Sequence, residues 1–231
     1  FTNAQDGPYN GPGPTSGSGQ HDEYPVTPKA SLSYQVNDDD LVYATAAKGF
    51  RVGGANAPIP ISFCKNALHQ LGDIDIPSTY NSDTVWSYEV GAKGRFLDHR
   101  LSVATSAYYI DWDNIQQNVF LSQCGFQYTA NLGKAVSKGF DLQVDGRLTD
   151  RLTVDLALGY TNAKYVTTTQ AGTAPGTPVL ASAGDSLPVA PWTAALGVQY
   201  AFDVGGHDSY VRGDLQWTER NKGQLTSQDP L

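Results

Sequence analysis

The sequence predicts an all-β protein, an antiparallel up-and-down transmembrane β-barrel to which this chain contributes about eight strands. Three observations support that fold class. Apolar and polar residues alternate strictly along several segments. The connections between these segments fall into two groups, short turns and long loops. Large aromatic residues mark both ends of the apolar faces, as in strands that cross a bilayer.

The clearest hairpin covers residues 85–118. Between Trp86 and Phe96 the even positions are Trp, Tyr, Val, Ala, Gly and Phe, and the odd positions include Glu89, Lys93 and Arg95. A short turn at Leu97, Asp98 and His99 leads to the next strand, which alternates from Leu101, so the two strands pair antiparallel. A tilted transmembrane strand needs about 9–11 residues, and the first strand has that length.

Composition excludes several classes of protein. Of 231 residues, 16% are charged and the net charge is −8, which argues against a nucleic-acid partner. No run of about 18 apolar residues predicts a transmembrane helix. The chain begins at Phe1, contains no Met and shows no signal peptide, so we expect a processed chain or a fragment.

The same alternation recurs along the chain. We predict further strands from the residue sets Ala30, Leu32, Tyr34 and Val36; Leu41, Tyr43, Thr45 and Ala47; Leu101, Val103, Thr105, Ala107 and Tyr109; Phe140, Leu142, Val144, Gly146 and Leu148; Leu152, Val154, Leu156, Leu158 and Tyr160; Trp192, Ala194, Leu196, Val198, Tyr200 and Phe202; and Val211, Gly213, Leu215 and Trp217. We also expect the strand that contains Asp113 to continue to about Leu121. A strand then returns through Tyr128 and Asn131.

The connections sort by length onto the two ends of the predicted sheet. Short turns fall near 37–40, 97–99, 149–151 and 203–207, and longer connections at 1–28, 51–83, 121–126 and 166–189. Outer-membrane barrels have short periplasmic turns and longer extracellular loops, whereas a Greek-key sandwich does not sort its loops this way. Trp86, Tyr160, Trp192 and Trp217 lie near the predicted long-loop end, and Phe96 and Phe202 near the other. Because periodicity alone fits both folds, a secreted β-sandwich that binds or hydrolyses glycans stays open as the alternative.

Four segments together resemble a known family. Residues 27–54, 85–116, 131–165 and 184–200, about half of the chain, are similar to the C-terminal part of the barrel of TonB-dependent outer-membrane receptors. The resemblance implies part of a 22-stranded barrel with a plugged lumen, in the outer membrane of a Gram-negative bacterium. It also implies uptake of a scarce ligand such as a ferric siderophore, energised through TonB, with no enzymatic step and no cofactor. A plug domain, a TonB box and a C-terminal aromatic strand are not found, so we expect a fragment whose partners are outer-membrane lipid, a small-molecule ligand and, through the missing N-terminal part, TonB.

Ligand contacts are expected from the long loops and the upper lumen, because these are the parts that face an incoming ligand. Arginine and aromatic side chains suit an anionic or aromatic ligand. The candidates are Arg51, His69, Tyr80, Tyr128 and Asn131.

The two cysteines, Cys64 and Cys124, lie 60 residues apart in predicted loops on the same side. They are either two unrelated thiols or one disulfide formed in an oxidising compartment. The four histidines are scattered between the two ends, so no metal site is predicted. Asp111 and Asp113 lack a second acid at a suitable distance for glycoside hydrolysis, so no catalytic residue is predicted.

Charged residues on the polar faces are expected to neutralise one another or to contact a plug surface. They are Glu89, Lys93, Arg95, Asp141, Asp145 and Arg147.

Overall fold

The computed structural model describes residues 25–70, 76–121, 123–170 and 179–221. Its strands, in chain order, are β1 (Lys29–Gln35), β2 (Leu41–Arg51), β3 (Gly54–Ala55), β4 (Thr79–Tyr80), β5 (Asp83–Phe96), β6 (Leu101–Asp113), β7 (Gln116–Leu121), β8 (Phe126–Asn131), β9 (Lys134–Arg147), β10 (Leu152–Tyr165), β11 (Thr169–Gln170), β12 (Val179–Ala181), β13 (Trp192–Val204) and β14 (His207–Thr218). One helix, α1 (Ile61–Gln70), lies between β3 and β4.

Eight long strands form one antiparallel sheet in the order β1-β2-β5-β6-β9-β10-β13-β14. Each long strand therefore pairs with the next long strand along the chain. Pairing is continuous over long ladders, such as the thirteen residue pairs between β9 and β10 from Thr153↔Arg147 to Tyr165↔Ala135. The predicted up-and-down meander of eight strands is confirmed.

One face of this sheet is apolar across all eight strands. The register places Val90, Ala107, Phe140, Tyr160 and Trp192 side by side in a row that crosses five strands. The apolar side chains stay accessible to solvent: Leu156 is 37% exposed and Leu215 is 65% exposed. The other described sheets have two strands each. The β-sandwich alternative is therefore wrong, because a sandwich covers its apolar face with a second sheet.

The opposite face carries the polar and charged residues. In β2, the predicted set of Leu41, Tyr43, Thr45 and Ala47 does share a face, but it is this polar one. The phenol of Tyr43 donates a hydrogen bond of 2.5 Å to Glu89 Oε1 across the sheet. The apolar side of β2 is formed by Val42, Ala44 and Ala46, which pair with Ala92, Val90 and Tyr88.

The hairpin turns at one end of the sheet are short. Asn37 Oδ1 accepts hydrogen bonds from the N–H groups of Asp39 and Asp40, both at 2.8 Å, which fixes the first turn as an Asx turn. The last turn is the two residues Gly205 and Gly206, with φ of 61° and 80°. Glycine adopts these left-handed angles without a steric penalty.

The connections at the other end contain structure that the sequence analysis did not predict. Residues 52–82 carry β3, α1 and β4, and residues 166–191 carry β11 and β12. The strand that contains Asp113 does not continue to Leu121. It stops where Asn114 takes a left-handed φ of 57°, and β7 and β8 pair in a separate hairpin.

The buried side chains are concentrated at this long-loop end. The first cluster is Ile115, Leu132, Ala135, Ala163, Tyr165, Ala181 and Leu187. The second is Cys64, Ala67, Leu68, Val119, Leu121 and Tyr128. Neither cluster lies in the middle of the sheet, so the chain forms its compact part from the loops. Among the described residues, no helix has the length and apolar character needed to cross a bilayer.

Candidate functional site

A buried carboxylate ties the long loops to the sheet. Asp83, the first residue of β5, is only 1% exposed. Its two oxygens accept hydrogen bonds from Arg51 Nε at 3.1 and 3.0 Å, from Trp112 Nε1 at 3.0 Å and from the Gln116 backbone N–H at 3.0 Å. A buried charge needs this number of donors, because an unpaired one would be strongly destabilising.

Arg51 is held by several interactions at once. Its guanidinium forms an ion pair with Asp83 and donates a hydrogen bond of 3.0 Å to the Gln116 carbonyl. The guanidinium carbon lies 4.8 Å from the centroid of the Trp112 ring, a cation–π distance. Half of the side chain is still exposed, so Arg51 both anchors β2 to the β7 hairpin and reaches the surface.

Side-chain amides join the 52–82 loop to the β7–β8 hairpin. Asn131 Nδ2 donates to the carbonyls of Asn81 (3.0 Å) and Asn114 (2.8 Å), and its Oδ1 accepts the Asn81 N–H at 2.9 Å. Asn56 likewise exchanges two hydrogen bonds with the Thr129 backbone, at 2.9 and 2.7 Å. The two loops are therefore fixed to one another.

A disulfide makes the same connection covalently. Cys64 of α1 and Cys124 of the β7–β8 turn are bonded, with their Cα atoms 5.3 Å apart. The rings of Phe63 and Phe126 meet edge to face beside it, with centroids 6.3 Å apart. We call α1 together with the β7–β8 hairpin the loop module.

The five residues proposed to contact the ligand have different environments. His69, in the last turn of α1, is exposed, and Tyr80 is half-buried. Tyr128 is only 3% exposed in the second core cluster, and burial raises the pKa of its phenol. Arg51 and Asn131 belong to the networks described above. Among the described residues, the side chains of His69 and Tyr80 form no hydrogen bond, and both reach solvent.

Some of the charged residues on the polar side of the sheet form ion pairs. Arg212 on β14 bonds to Asp155 on β10 at 2.8 Å and to Asp214 at 2.7 Å. At the short-turn end, Asp39 accepts from Arg95 at 3.1 Å and from His99 at 2.8 Å. Of the six charged residues named in the sequence analysis, Arg95 is in one of these pairs, and Glu89 accepts a hydrogen bond from the Tyr43 phenol.

The side chains at the long-loop end are of kinds that bind a ligand by hydrogen bonds and ring contacts. Among the described residues, no three His, Cys, Asp or Glu side chains are grouped so that they could hold a metal ion. The described residues at this end offer amides, aromatic rings and the Arg51 guanidinium at the edge of the polar face of the sheet, groups that suit binding of a small polar molecule.

The sequence analysis missed Asp83 and α1. The helix does have a sequence signal, because Cys64, Ala67 and Leu68 follow the i, i+3, i+4 spacing of a helix face. Asp83 has none: its partners Arg51, Trp112 and Gln116 come together only through the strand register and the break at Asn114.

Comparison with known proteins identifies a protein family that matches nearly the whole chain. A family model described as TonB dependent receptor-like, beta-barrel matches residues 1–230. The metal-pseudopaline receptor CntO of Pseudomonas aeruginosa is 29% identical over 147 residues, which are 64% of this chain and 18% of that receptor. The ferric-pyoverdine M114 receptor PbuA of Pseudomonas sp. (strain M114) is 28% identical over 144 residues, 61% of this chain and 15% of that receptor.

Solved structures share the fold. The ferric yersiniabactin uptake receptor FyuA from Yersinia pestis superposes with a TM-score of 0.58 at 16% identity, covering 82% of this chain and 25% of that one. The alcaligin outer-membrane receptor FauA from Bordetella pertussis gives 0.52 at 18% identity, covering 84% and 29%. The chain thus spans less than a third of the length of each of these relatives and structures.

Proposed function

The chain belongs to the TonB-dependent receptor-like β-barrel family, and on that premise we propose that it forms eight consecutive strands of a receptor that takes up a metal–siderophore complex. Proteins of this family are transport receptors of the Gram-negative outer membrane, not enzymes. The eight-stranded sheet would then be an arc of a larger barrel, with long loops outside the cell and short turns in the periplasm.

One observation in the structure carries this proposal. The sheet leaves its whole apolar face uncovered while the compact cores lie at the long-loop end. In water an exposed apolar face of this size would be strongly unfavourable, whereas in a bilayer it contacts acyl chains. The paired charges of the other face would then line the lumen.

The ligand class is supported by the two relatives, one named a metal-pseudopaline receptor and the other a ferric-pyoverdine receptor. Both names describe a metal carried by an organic chelator. We infer a ligand of that chemical class, and energised uptake through TonB, as expected of a protein in this family.

Within the loops, we infer two kinds of role for the five predicted residues. His69 and Tyr80 reach solvent and would contact the ligand directly. Arg51, Asn131 and Tyr128 would act by holding the loops in position, because their side chains already have partners within the fold.

The test is metal uptake by cells that make the complete receptor. A strain that lacks the receptor is supplied with ⁵⁵Fe–pyoverdine or ⁶³Ni–pseudopaline, and the complete receptor is restored with and without a functional TonB. We expect the receptor to restore uptake of one complex only when TonB is present. No uptake of either, or equal uptake without TonB, would refute the proposal.

The site is tested in the same cells. His69→Ala and Tyr80→Ala should raise the ligand concentration for half-maximal uptake, and Lys65→Ala serves as the control because Lys65 lies on the same helix and is also exposed. If the two variants match the Lys65→Ala control, the ligand binds elsewhere in the receptor.

A further inference from the structure

The β7–β8 hairpin has one covered edge and one open edge. In an antiparallel pair, opposite residues either bond across the ladder or point their backbone groups away from it, in alternation. The Thr129 N–H and C=O are both taken by the Asn56 amide, at 2.7 and 2.9 Å, so its partner Asn118 also points its backbone groups away from the ladder. Two residues on, Phe120 does the same. Among the described residues, the N–H and C=O groups of Asn118 and Phe120 have no hydrogen-bond partner.

The buried carboxylate network fills the first position of this open edge. Gln116 follows the same alternation, and its N–H donates to Asp83 at 3.0 Å while its C=O accepts from Arg51 Nη2 at 3.0 Å. At about 3.3 Å per residue, Asn118 and Phe120 lie about 7 and 13 Å farther along the strand. Both are exposed. The open edge therefore runs from the Arg51 network toward the outer tip of the loop module.

The sequence of β7 gives this edge no protection. Proteins usually guard an open strand edge with charged side chains, a proline, a bulge or a covering loop. The six residues of β7 are QQNVFL, without a charged residue or a proline, whereas β8 is covered at Thr129 by Asn56. An unguarded edge is suited to a partner that adds backbone hydrogen bonds to it, as in β-augmentation.

Arg51 adds a positive charge at the inner end of the edge. It holds the loops through Nε and Nη2, which bond to Asp83 and to the Gln116 carbonyl. Its Nη1 forms no hydrogen bond with any residue in the described ranges, and half of the side chain is exposed. Guanidinium N–H groups bind carboxylates strongly. A chain that lies along β7 would therefore place an anionic group at the Gln116 end.

We propose that the open edge of β7 binds an extended peptide part of the transported chelator. Asn118 and Phe120 exchange backbone hydrogen bonds with the amide groups of the ligand, and Arg51 Nη1 binds a ligand carboxylate. This inference rests on the proposed uptake of a metal–chelator complex and adds the chemical class of the chelator, a peptide. It also gives β7 a direct contact with the ligand, in addition to those of His69 and Tyr80.

The test measures binding of three synthetic ⁵⁵Fe–hydroxamate complexes to the purified complete receptor. The first chelator has a linear peptide backbone with a free terminal carboxylate. In the second, the backbone amides are N-methylated and cannot donate hydrogen bonds, and in the third the carboxylate is replaced by an amide. We expect the wild-type receptor to bind the first complex about tenfold more tightly than the second and several-fold more tightly than the third, since each hydrogen bond contributes a few-fold in affinity.

Proline variants locate the site on the receptor. Asn118→Pro removes an N–H that points away from the ladder, so the hairpin keeps its own hydrogen bonds. It should bind the first complex about fivefold more weakly than Asn118→Ala, which loses the same side chain and keeps the N–H. Gln127→Pro removes the equivalent N–H from the β8 edge of the same hairpin and should bind like the wild type. Alkylation without reduction, with no gain in mass, checks that the disulfide of the loop module is intact in each variant.

Several results would overturn the inference. They are equal binding of the first and second complexes by the wild type, failure of the wild type to bind any of the three, or equal binding of the first complex by Asn118→Pro and Asn118→Ala. The wild-type comparison needs no variant, so it decides even where a proline variant misfolds. Equal binding of the first and third complexes would overturn the Arg51 contact. The proposed uptake function is decided separately, by TonB-dependent metal uptake in cells.

Discussion

At the scale of single residues, Asp83 is the side chain on which the long-loop end depends most. It is buried, and it joins β2, β6 and the start of β7 through Arg51, Trp112 and Gln116. Replacing it removes the carboxylate that accepts the hydrogen bonds from these three residues.

Asp83→Asn should destabilise the loop end by about 1–3 kcal/mol, because an amide turns donors toward donors and leaves the half-exposed Arg51 without its counter-charge. Hydrogen exchange of residues 52–82 in the complete receptor measures this directly. Asp150→Asn is the matched control. It breaks the ion pair between Asp150 and Arg100, and the Asp150 side chain is 83% exposed. Similar exchange in both variants would show that the Asp83 network does not hold the loops.

Gly139 on β9 is a second residue with a specific requirement. A Cβ atom there would lie 1.9 Å from the Tyr160 carbonyl oxygen and 2.6 Å from the Tyr108 hydroxyl. The backbone of β10 cannot move away without breaking the ladder, so only glycine fits.

Gly139→Ala is therefore expected to reduce the yield of folded receptor several-fold, judged by heat-modifiable migration on gels. Gly213→Ala should fold like the wild type, because a Cβ at Gly213 meets nothing within 4 Å. Equal yields of the two variants would mean that β9 and β10 do not approach as closely as described.

At the scale of elements, a strand or helix could be predicted where its own residues carry the pattern, and not where contacts between distant segments determine it. The eight long strands follow from period-two alternation, which each segment carries by itself. The β2 face was not identifiable in this way, because Leu41, Tyr43, Thr45 and Ala47 are as apolar as Val42, Ala44 and Ala46; only pairing with Glu89 distinguishes them.

The elements of the long-loop end were harder to predict for a physical reason. The end of β6 is set by one left-handed residue, Asn114, in a segment whose side chains otherwise continue the strand pattern. The loop module is stabilised by contacts between distant segments, such as Asn56 with Thr129, which no local pattern indicates. Of the candidate site, the sequence therefore supplied residue types and not their partners.

The disulfide is expected to stabilise the loop module rather than the sheet. A closed loop of this length corresponds to about 4 kcal/mol in a chain-entropy estimate. The actual gain is expected to be smaller, because the β2–β5–β6 ladders already bring Cys64 and Cys124 into the same region.

Reduction should therefore speed hydrogen exchange in residues 61–70 and 116–131 and leave the β9–β10 ladder unchanged. Intact mass after alkylation, with and without prior reduction, shows whether the bond is present. Two thiols that alkylate without reduction would contradict the disulfide, and exchange that rises equally in β9 would contradict the local effect.

At the scale of the whole molecule, the two faces of the sheet should respond oppositely to charge. Leu156→Arg places a cation on the apolar face, where we expect a loss of about 2–4 kcal/mol in folding free energy in lipid vesicles. Gln143→Arg, on the exposed polar face of the neighbouring strand, should change it by less than about 1 kcal/mol. Denaturant titration in vesicles compares them, and equal losses would contradict the assignment of faces.

The central claim is that the apolar face touches acyl chains and the polar face lines the lumen. Spin labels placed one at a time at residues 154–158 of β10, in the complete receptor in lipid vesicles, test it through collision with oxygen, which is enriched in the bilayer. We predict that collision rates alternate with period two, high at Val154, Leu156 and Leu158 and low at Asp155 and Ala157. Uniform rates along the strand, or maxima at Asp155 and Ala157, would contradict it.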